Sequence, residues 1–260
     1  MSIYEQLLKA RDRKGSGYFV LIDPDKKSEA ETLKTVEACA ECGVDAILVG
    51  SSLLLSQRFG STIKQIKNEF NIPVILFPGS TIQLSEYADA VLFLSLISGR
   101  NPEFLIGTQV LGAPIIRKMA LEAISTGYML IESGKTTAAE FMSNSKPIPR
   151  DKSDIAVAHA IAGEYLGMKM IYLEAGSGAI HSVPEEMIEA VSGYLTIPVI
   201  VGGGINTPEA ARKKVEAGAA FVVTGNVLET SNHRGLIKEF ADAIHWKNAE
   251  SEMPLLRRVK

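Results

Sequence analysis

The chain has little from which to build soft-metal or disulfide chemistry. It carries two cysteines and four histidines in 260 residues. Both cysteines fall in one run, Cys39-Ala-Glu-Cys42. That is the spacing of a redox or zinc pair, yet it lies late in an expected helix, with no second Cys or His pair nearby. Reduced structural thiols are the reading. His159, His181, His233 and His245 show no ligand spacing to one another, and His159 falls on an expected helix, where a packed histidine is the usual case. An excess of either charge is also missing. The 27 basic and 30 acidic residues leave a net of -3, which removes the basic footprint of a nucleic-acid binder. No polybasic cluster points to anionic lipid, and Arg257-Arg258-Val259-Lys260 reads as a frayed tail. No apolar run approaches the ~20 residues of a membrane span. The opening MSIYEQLLKARDRKG is amphipathic and charged, without the apolar stretch of a secretory signal, so the expected compartment is cytoplasmic.

What is present is a regular alternation. Apolar runs over 18–22, 46–49, 73–77, 90–96, 170–173, 198–201 and 221–223, with another inside 122–132, read as buried strands. Helical stretches separate them. Ser28 with Glu31 forms a capping box for a helix to about Cys42. Further helices are expected over 61–70, from Pro102 to about Met119, from an Asp154 cap to about Leu166, from Pro184 in a first turn, from Thr207-Pro208-Glu209, and over 234–246. Two stretches break the rhythm. Residues 80–89 are short for a crossover helix, and 133–153 form a long polar loop of the kind kept for binding or packing. Eight β-then-α units in about 250 residues match a (β/α)8 TIM barrel in a single domain, 1–260. An open doubly wound sheet is the alternative, but no linker is visible.

Polar and glycine residues gather just after the strands. Asp23 follows the first, Ser51 and Ser52 the second, Glu174 and Ser177 the sixth, Gly202-Gly203-Gly204 the seventh, and Gly225-Asn226 the eighth. In a barrel these positions share the face where active sites are built. Glu174 closes an apolar run, where an unpaired carboxylate would be costly unless it stood at a site mouth. The two late glycine turns suit a phosphate grip, since bare backbone approaches an anion closely and turn N–H groups point at it; tight turns without a ligand are the plainer reading. Asp23-Pro24-Asp25, with Ser51 or Ser52 beside it, suits a hard cation such as Mg2+, or else a proline-stiffened Asp turn. Lys135, in Glu-Ser-Gly-Lys-Thr-Thr, lacks the glycine spacing of a phosphate loop and reads as surface. No lysine closes an apolar strand, which argues against a Schiff-base aldolase.

Asp23-Pro24-Asp25-Lys26, Tyr172-Leu173-Glu174-Ala175-Gly176-Ser177-Gly178, Gly202-Gly203-Gly204-Ile205 and Thr224-Gly225-Asn226 occur in the chain. Together they resemble the geranylgeranylglyceryl phosphate synthase family, over about 18–245. The resemblance implies a TIM barrel whose third helix is replaced by an extended segment, which fits the short 80–89 stretch. It implies sn-glycerol 1-phosphate as acceptor, an allylic polyprenyl diphosphate (geranylgeranyl) as donor, and Mg2+. By motif, Asp23 and Ser52 would hold Mg2+. Tyr172, Leu173, Glu174, Ala175, Gly176, Ser177 and Gly178, with Gly203, Gly204, Gly225 and Asn226, would hold the acceptor. One branch of the family has lysine two residues before the metal Asp; Leu21 stands there here, as in the second branch. Members of the family are commonly dimers or hexamers, so a homo-oligomer is expected, and Phe141 with Met142 offers an apolar contact. Within this scheme Glu174 would take the acceptor's hydroxyl proton. Leu92 to Leu96, Ile97 and Phe104 are candidates for an isoprenoid trough. The competing readings are a thiamine-phosphate-synthase-like transferase, for which no pyrimidine pocket motif is found, and a phospholigand-binding barrel without catalysis.

Overall fold

A computed structural model describes residues 1–229 and 233–247; the basic tail at Arg257, Arg258 and Lys260 lies outside them. The strands are β1 (Gly17–Ile22), β2 (Ala46–Val49), β3 (Val74–Leu76), β4 (Ala90–Leu96), β5 (Glu122–Leu130), β6 (Met170–Glu174), β7 (Val199–Gly202) and β8 (Phe221–Thr224). Each pairs in parallel with the next, and β8 returns to β1 to close the expected barrel. The helices are α1 (Ile3–Lys14), α2 (Glu29–Glu41), α3 (Phe59–Glu69), α4 (Thr108–Lys118), α5 (Ala138–Ser143), α6 (Ser153–Tyr165), α7 (Glu185–Tyr194), α8 (Pro208–Glu216) and α9 (His233–Ile244).

Strand alternation divides the core into two layers. On β6, Met170 and Tyr172 enter the barrel interior, while Ile171 and Leu173 pack against the helices. Both faces are buried, so the strands read as unbroken apolar runs. Glu174 shares the inward parity of Tyr172 and pairs in register with Gly202 of β7. A carboxylate is thereby carried to the rim of the interior.

The lower end of the barrel, at the strand N-termini, is sealed. Ser2 and Glu5 form a capping box on α1, and the Glu122 carboxylate accepts the Ile3 and Tyr4 N–H groups, the latter at 3.0 Å. Leu7 plugs the interior beside the stacked rings of Phe19 and Phe221. Buried Asp45 accepts from Lys14 Nζ (2.6 Å), His245 Nε2 (2.9 Å) and the Tyr18 N–H (2.9 Å). Burial alone would raise this carboxyl, but the hydrogen bond from His245 and the Lys14 charge hold it below its ordinary value.

The upper wall has a seam. β3 meets β4 at only two residue pairs, Ile75↔Ala90 and Leu76↔Val91, whereas all seven residues of β4 pair with β5. The connection over 77–89 carries no α-helix, only a 3-10 turn at Thr81–Gln83, in keeping with the short stretch noted in the sequence. Gln109 Nε2 donates to the Leu94 carbonyl, which no β3 residue reaches, and to the Phe104 carbonyl at 2.9 Å. Backbone polarity at the gap is thus met by a side chain.

Four details differ from the sequence expectations. The stretch after Pro102 begins as a π-helical turn, Glu103–Gly107, before α4. Residues 133–153 hold α5, capped by Thr137. Asp154 is inside the first turn of α6 rather than its cap, which is Lys152 without a side-chain bond; the carboxylate there still suits the helix dipole. Pro184 is the residue before α7, not in its first turn. Cys39 and Cys42 are free and buried, as read.

Candidate active site

The strand-end residues line one cavity of about 400 Å³ at the upper face. Asp23, Ser51, Ser52, Tyr172, Glu174, Gly176, Ser177, Gly178, Gly203, Gly204, Gly225 and Asn226 all border it. Leu173 and Ala175 do not: their side chains belong to the outer core, so only their backbone stands near the site. The Ala175 N–H is committed to the Gly202 carbonyl at 3.0 Å.

Glu174 is 6% exposed and has no ion-pair partner among the described residues. Its Oε1 accepts the Gly176 N–H at 2.6 Å. Burial pushes the carboxyl up to about 7, and the Gly176 N–H offsets only part of that effect. The nearby Tyr172 hydroxyl also favours the carboxylate, yet it is buried and no acceptor meets hydrogen-bond geometry with it. A carboxyl poised near neutrality beside an unpartnered hydroxyl suits proton transfer to or from a third molecule.

Glycine at the turns is a steric necessity in two places. Gly203 has φ +83°, and a β-carbon there would collide with Glu174 Oε1 and the Gly176 nitrogen. Gly176 has φ +96°, and Thr137 occupies the space beside it. The Ser177 hydroxyl donates to Asn226 Oδ1 at 2.8 Å, so the turns after β6 and β8 act as one cradle.

After β1, the strand beside β8, Asp23 Oδ1 accepts the Asp25 N–H (3.0 Å) and Oδ2 accepts the Ser51 hydroxyl (3.0 Å). The Asp turn considered from sequence is therefore real, and one carboxylate still faces the cavity. Asp25 is otherwise engaged, accepting the Leu55 and Ser56 N–H groups. Ser51 is the serine that touches Asp23, whereas Ser52 is exposed on the cavity wall. Among the described residues no cluster of three His, Cys, Asp or Glu groups forms a protein-only metal cage. One carboxylate with hydroxyls at an open mouth is the donor set of a hard cation completed by waters and phosphate oxygens.

Where β3, β5 and β6 meet the cavity its wall is aromatic. Phe77 stacks on Tyr172 at 5.3 Å, and Tyr128 meets both edge-on. The cavity then extends through the β3/β4 seam into an apolar limb with Leu92, Phe93, Leu94, Leu96 and Phe104. Two residues of the expected trough are elsewhere. Ile97 is buried in the outer core against Gly127 and Gly163, and Ser95 points away to bond the Leu105 carbonyl at 2.6 Å. Tyr128, Gln83 and the α4 residues Thr108, Gln109, Gly112 and Ile116 also line the cavity and were not legible as site residues in the sequence. Gln83, buried on the 3-10 turn, donates to the Ser51 carbonyl (2.7 Å) and accepts the Ser51 N–H (2.9 Å), fixing the serine turn.

Residues 6–244 match the PcrB family. The chain belongs to that family. It is 48% identical over 237 residues to geranylgeranylglyceryl phosphate synthase of Chitinophaga pinensis, covering 90% of this chain and 93% of that protein. The protein of the same name from Methanosphaera stadtmanae is 47% identical over 229 residues, covering 88% and 93%. A crystal structure of (S)-3-O-geranylgeranylglyceryl phosphate synthase from Thermoplasma acidophilum, in complex with sn-glycerol-1-phosphate, superposes with a TM-score of 0.90 at 35% identity. That match covers 95% of this chain and 99% of that one. Among the described residues no helix is long and apolar enough to cross a membrane.

Proposed function

We propose that this chain is a prenyltransferase that joins a geranylgeranyl group, from its diphosphate, to the C3 hydroxyl of sn-glycerol 1-phosphate. The observation that carries this reading is the position of Glu174. A carboxyl with no ion-pair partner among the described residues, its pKa pushed up to about 7 by burial, borders the same cavity as a glycine cradle fit for a phosphate and an apolar limb fit for an isoprenoid chain. The same names borne by close relatives support it.

In the proposed reaction the cradle at 176–178, 203–204 and 225–226 holds the acceptor's phosphate, which places its free hydroxyl toward Glu174. The hydroxyl oxygen forms the new bond to C1 of the prenyl group. The C1–O bond to diphosphate breaks with its electron pair on the diphosphate, and the hydroxyl proton passes to Glu174. The allylic carbon develops positive charge, which the carboxylate and the faces of Tyr128 and Phe77 offset. Mg2+, held by Asp23 with a Ser51 or Ser52 hydroxyl and the donor's phosphate oxygens, would neutralise charge on the leaving diphosphate. The exposed side chains of Phe141 and Met142 on α5 fit a homo-oligomer, with light scattering as the check.

The deciding experiment incubates the protein with sn-glycerol 1-phosphate, labelled geranylgeranyl diphosphate and Mg2+, with and without a chelator, then extracts lipid. Labelled ether phosphate that vanishes with chelator is expected. No labelled lipid with donors of any chain length would refute the reaction.

A further inference from the structure

Sequence alone places Lys135 on the surface, and it is exposed. Its setting is more specific than that. Ser133 is buried; its hydroxyl donates to the Lys135 carbonyl (3.0 Å), and its own carbonyl accepts the His181 N–H (3.0 Å). Thr137, also buried, packs where a side chain on Gly176 would lie. The segment 133–137 is thus fastened along the 176–181 turn. As a result, Lys135 Nζ stands 3.4 Å from the point a β-carbon on Gly178 would occupy. Gly178 and Ser177 border the cavity, and Ser177 is tied to Asn226.

Charge gives this placement a purpose. The charged side chains on the cavity wall, among the described residues, are Asp23, Glu174 and Lys26. With Asp23 assigned to Mg2+ and Glu174 to the acceptor hydroxyl, the glycine turns themselves offer a phosphomonoester dianion N–H dipoles rather than full charge. We infer that Lys135 binds the acceptor's phosphate, its ammonium closing over the Gly176–Gly178 turn on a flexible four-carbon stem. This rests on the acceptor reading above. A lysine suits the task as a mobile point charge that makes a charge-assisted hydrogen bond. The phosphate does not change during the reaction, so Lys135 binds ground and transition states equally, and its loss is a KM effect with kcat untouched.

The test titrates the wild type, Lys135→Met and Lys135→Arg calorimetrically with sn-glycerol 1-phosphate and, separately, with inorganic phosphate, without donor, at low and high salt. Steady-state kinetics accompany it. Lys135→Met should weaken both ligands about tenfold at low salt, with the difference shrinking as salt rises. Lys135→Arg should recover most of the affinity, and the donor KM and kcat should not move. Equal affinity of Lys135→Met and wild type for both ligands at low salt overturns the inference while leaving the acceptor assignment standing. Loss of phosphate affinity in Lys135→Met, in a protein that prenylates nothing, would sink the reaction and keep the Lys135 assignment.

Discussion

The two ends of the barrel hold buried carboxylates on opposite terms. At the lower end, Asp45 has three hydrogen-bond partners, two of them basic side chains, and a pKa below its ordinary value. At the upper end, Glu174 has one backbone N–H and a pKa raised to about 7. Its neighbour Tyr172 keeps an unsatisfied hydroxyl. One carboxylate is spent on holding the fold, and the other is left incomplete for a molecule that is not part of it. Buried polar groups are ordinarily satisfied, so the unsatisfied end is where function is expected.

The largest expected effect breaks the upper end. Glu174→Gln should lower kcat by about 10²–10⁴, the usual worth of a positioned general base, with phosphate binding kept. The same variant should be more stable than wild type at pH 8, by up to ~3 kcal/mol. The sign follows from the raised pKa: the wild-type carboxyl is comfortable when protonated, and its contribution is lost as pH climbs from its ordinary 4.5 through about 7. The stability difference should therefore close below that window in a thermal-melt series.

Asp45→Asn is the reverse case. It should cost about 3–5 kcal/mol by chemical denaturation, because it leaves Lys14 and His245 without their buried counter-charge, while kcat at 25 °C stays near wild type. Wild-type stability from this group is present above its unfolded pKa and is lost as pH falls through the lowered folded value. A variant that lost activity and kept its stability would erase the contrast between the ends.

Two smaller changes sharpen the comparison. Gly203→Ala forces a β-carbon into Glu174 and a φ of +83°, at about 1–3 kcal/mol of strain; it should raise the acceptor KM in steady-state kinetics and lower the melting temperature. Tyr172→Phe removes a buried hydroxyl that meets no acceptor in hydrogen-bond geometry, so at about pH 5–6, where Glu174 is protonated, it should leave stability unchanged or raise it by ~1 kcal/mol. A loss of stability on that substitution would mean that the hydroxyl is structural.

Legibility in the sequence follows the same division. Glu174 stood out because a carboxylate at the end of a greasy strand has few explanations, and the glycine turns because each follows a strand directly. The barrel itself was readable from its alternation of buried runs and capped helices. The lower network was not, since Asp45 and His245 are 200 residues apart and only strand closure brings them together. Tyr128 was hidden for another reason: parallel strands bury both faces, so periodicity does not say which side chains face inward. Ile97 was misassigned on the same ground. The choice between Ser51 and Ser52 as the partner of Asp23 depended on Gln83 clamping the turn, a contact across 32 positions.

The proposed chemistry turns on the protonation state of one carboxyl group, which a ¹³C NMR titration of glutamate-labelled protein reads without any turnover. One side-chain resonance with a midpoint near 7 is expected, absent from Glu174→Gln and displaced by sn-glycerol 1-phosphate. A Glu174 resonance that titrates at the ordinary 4.5 and ignores the acceptor would contradict it.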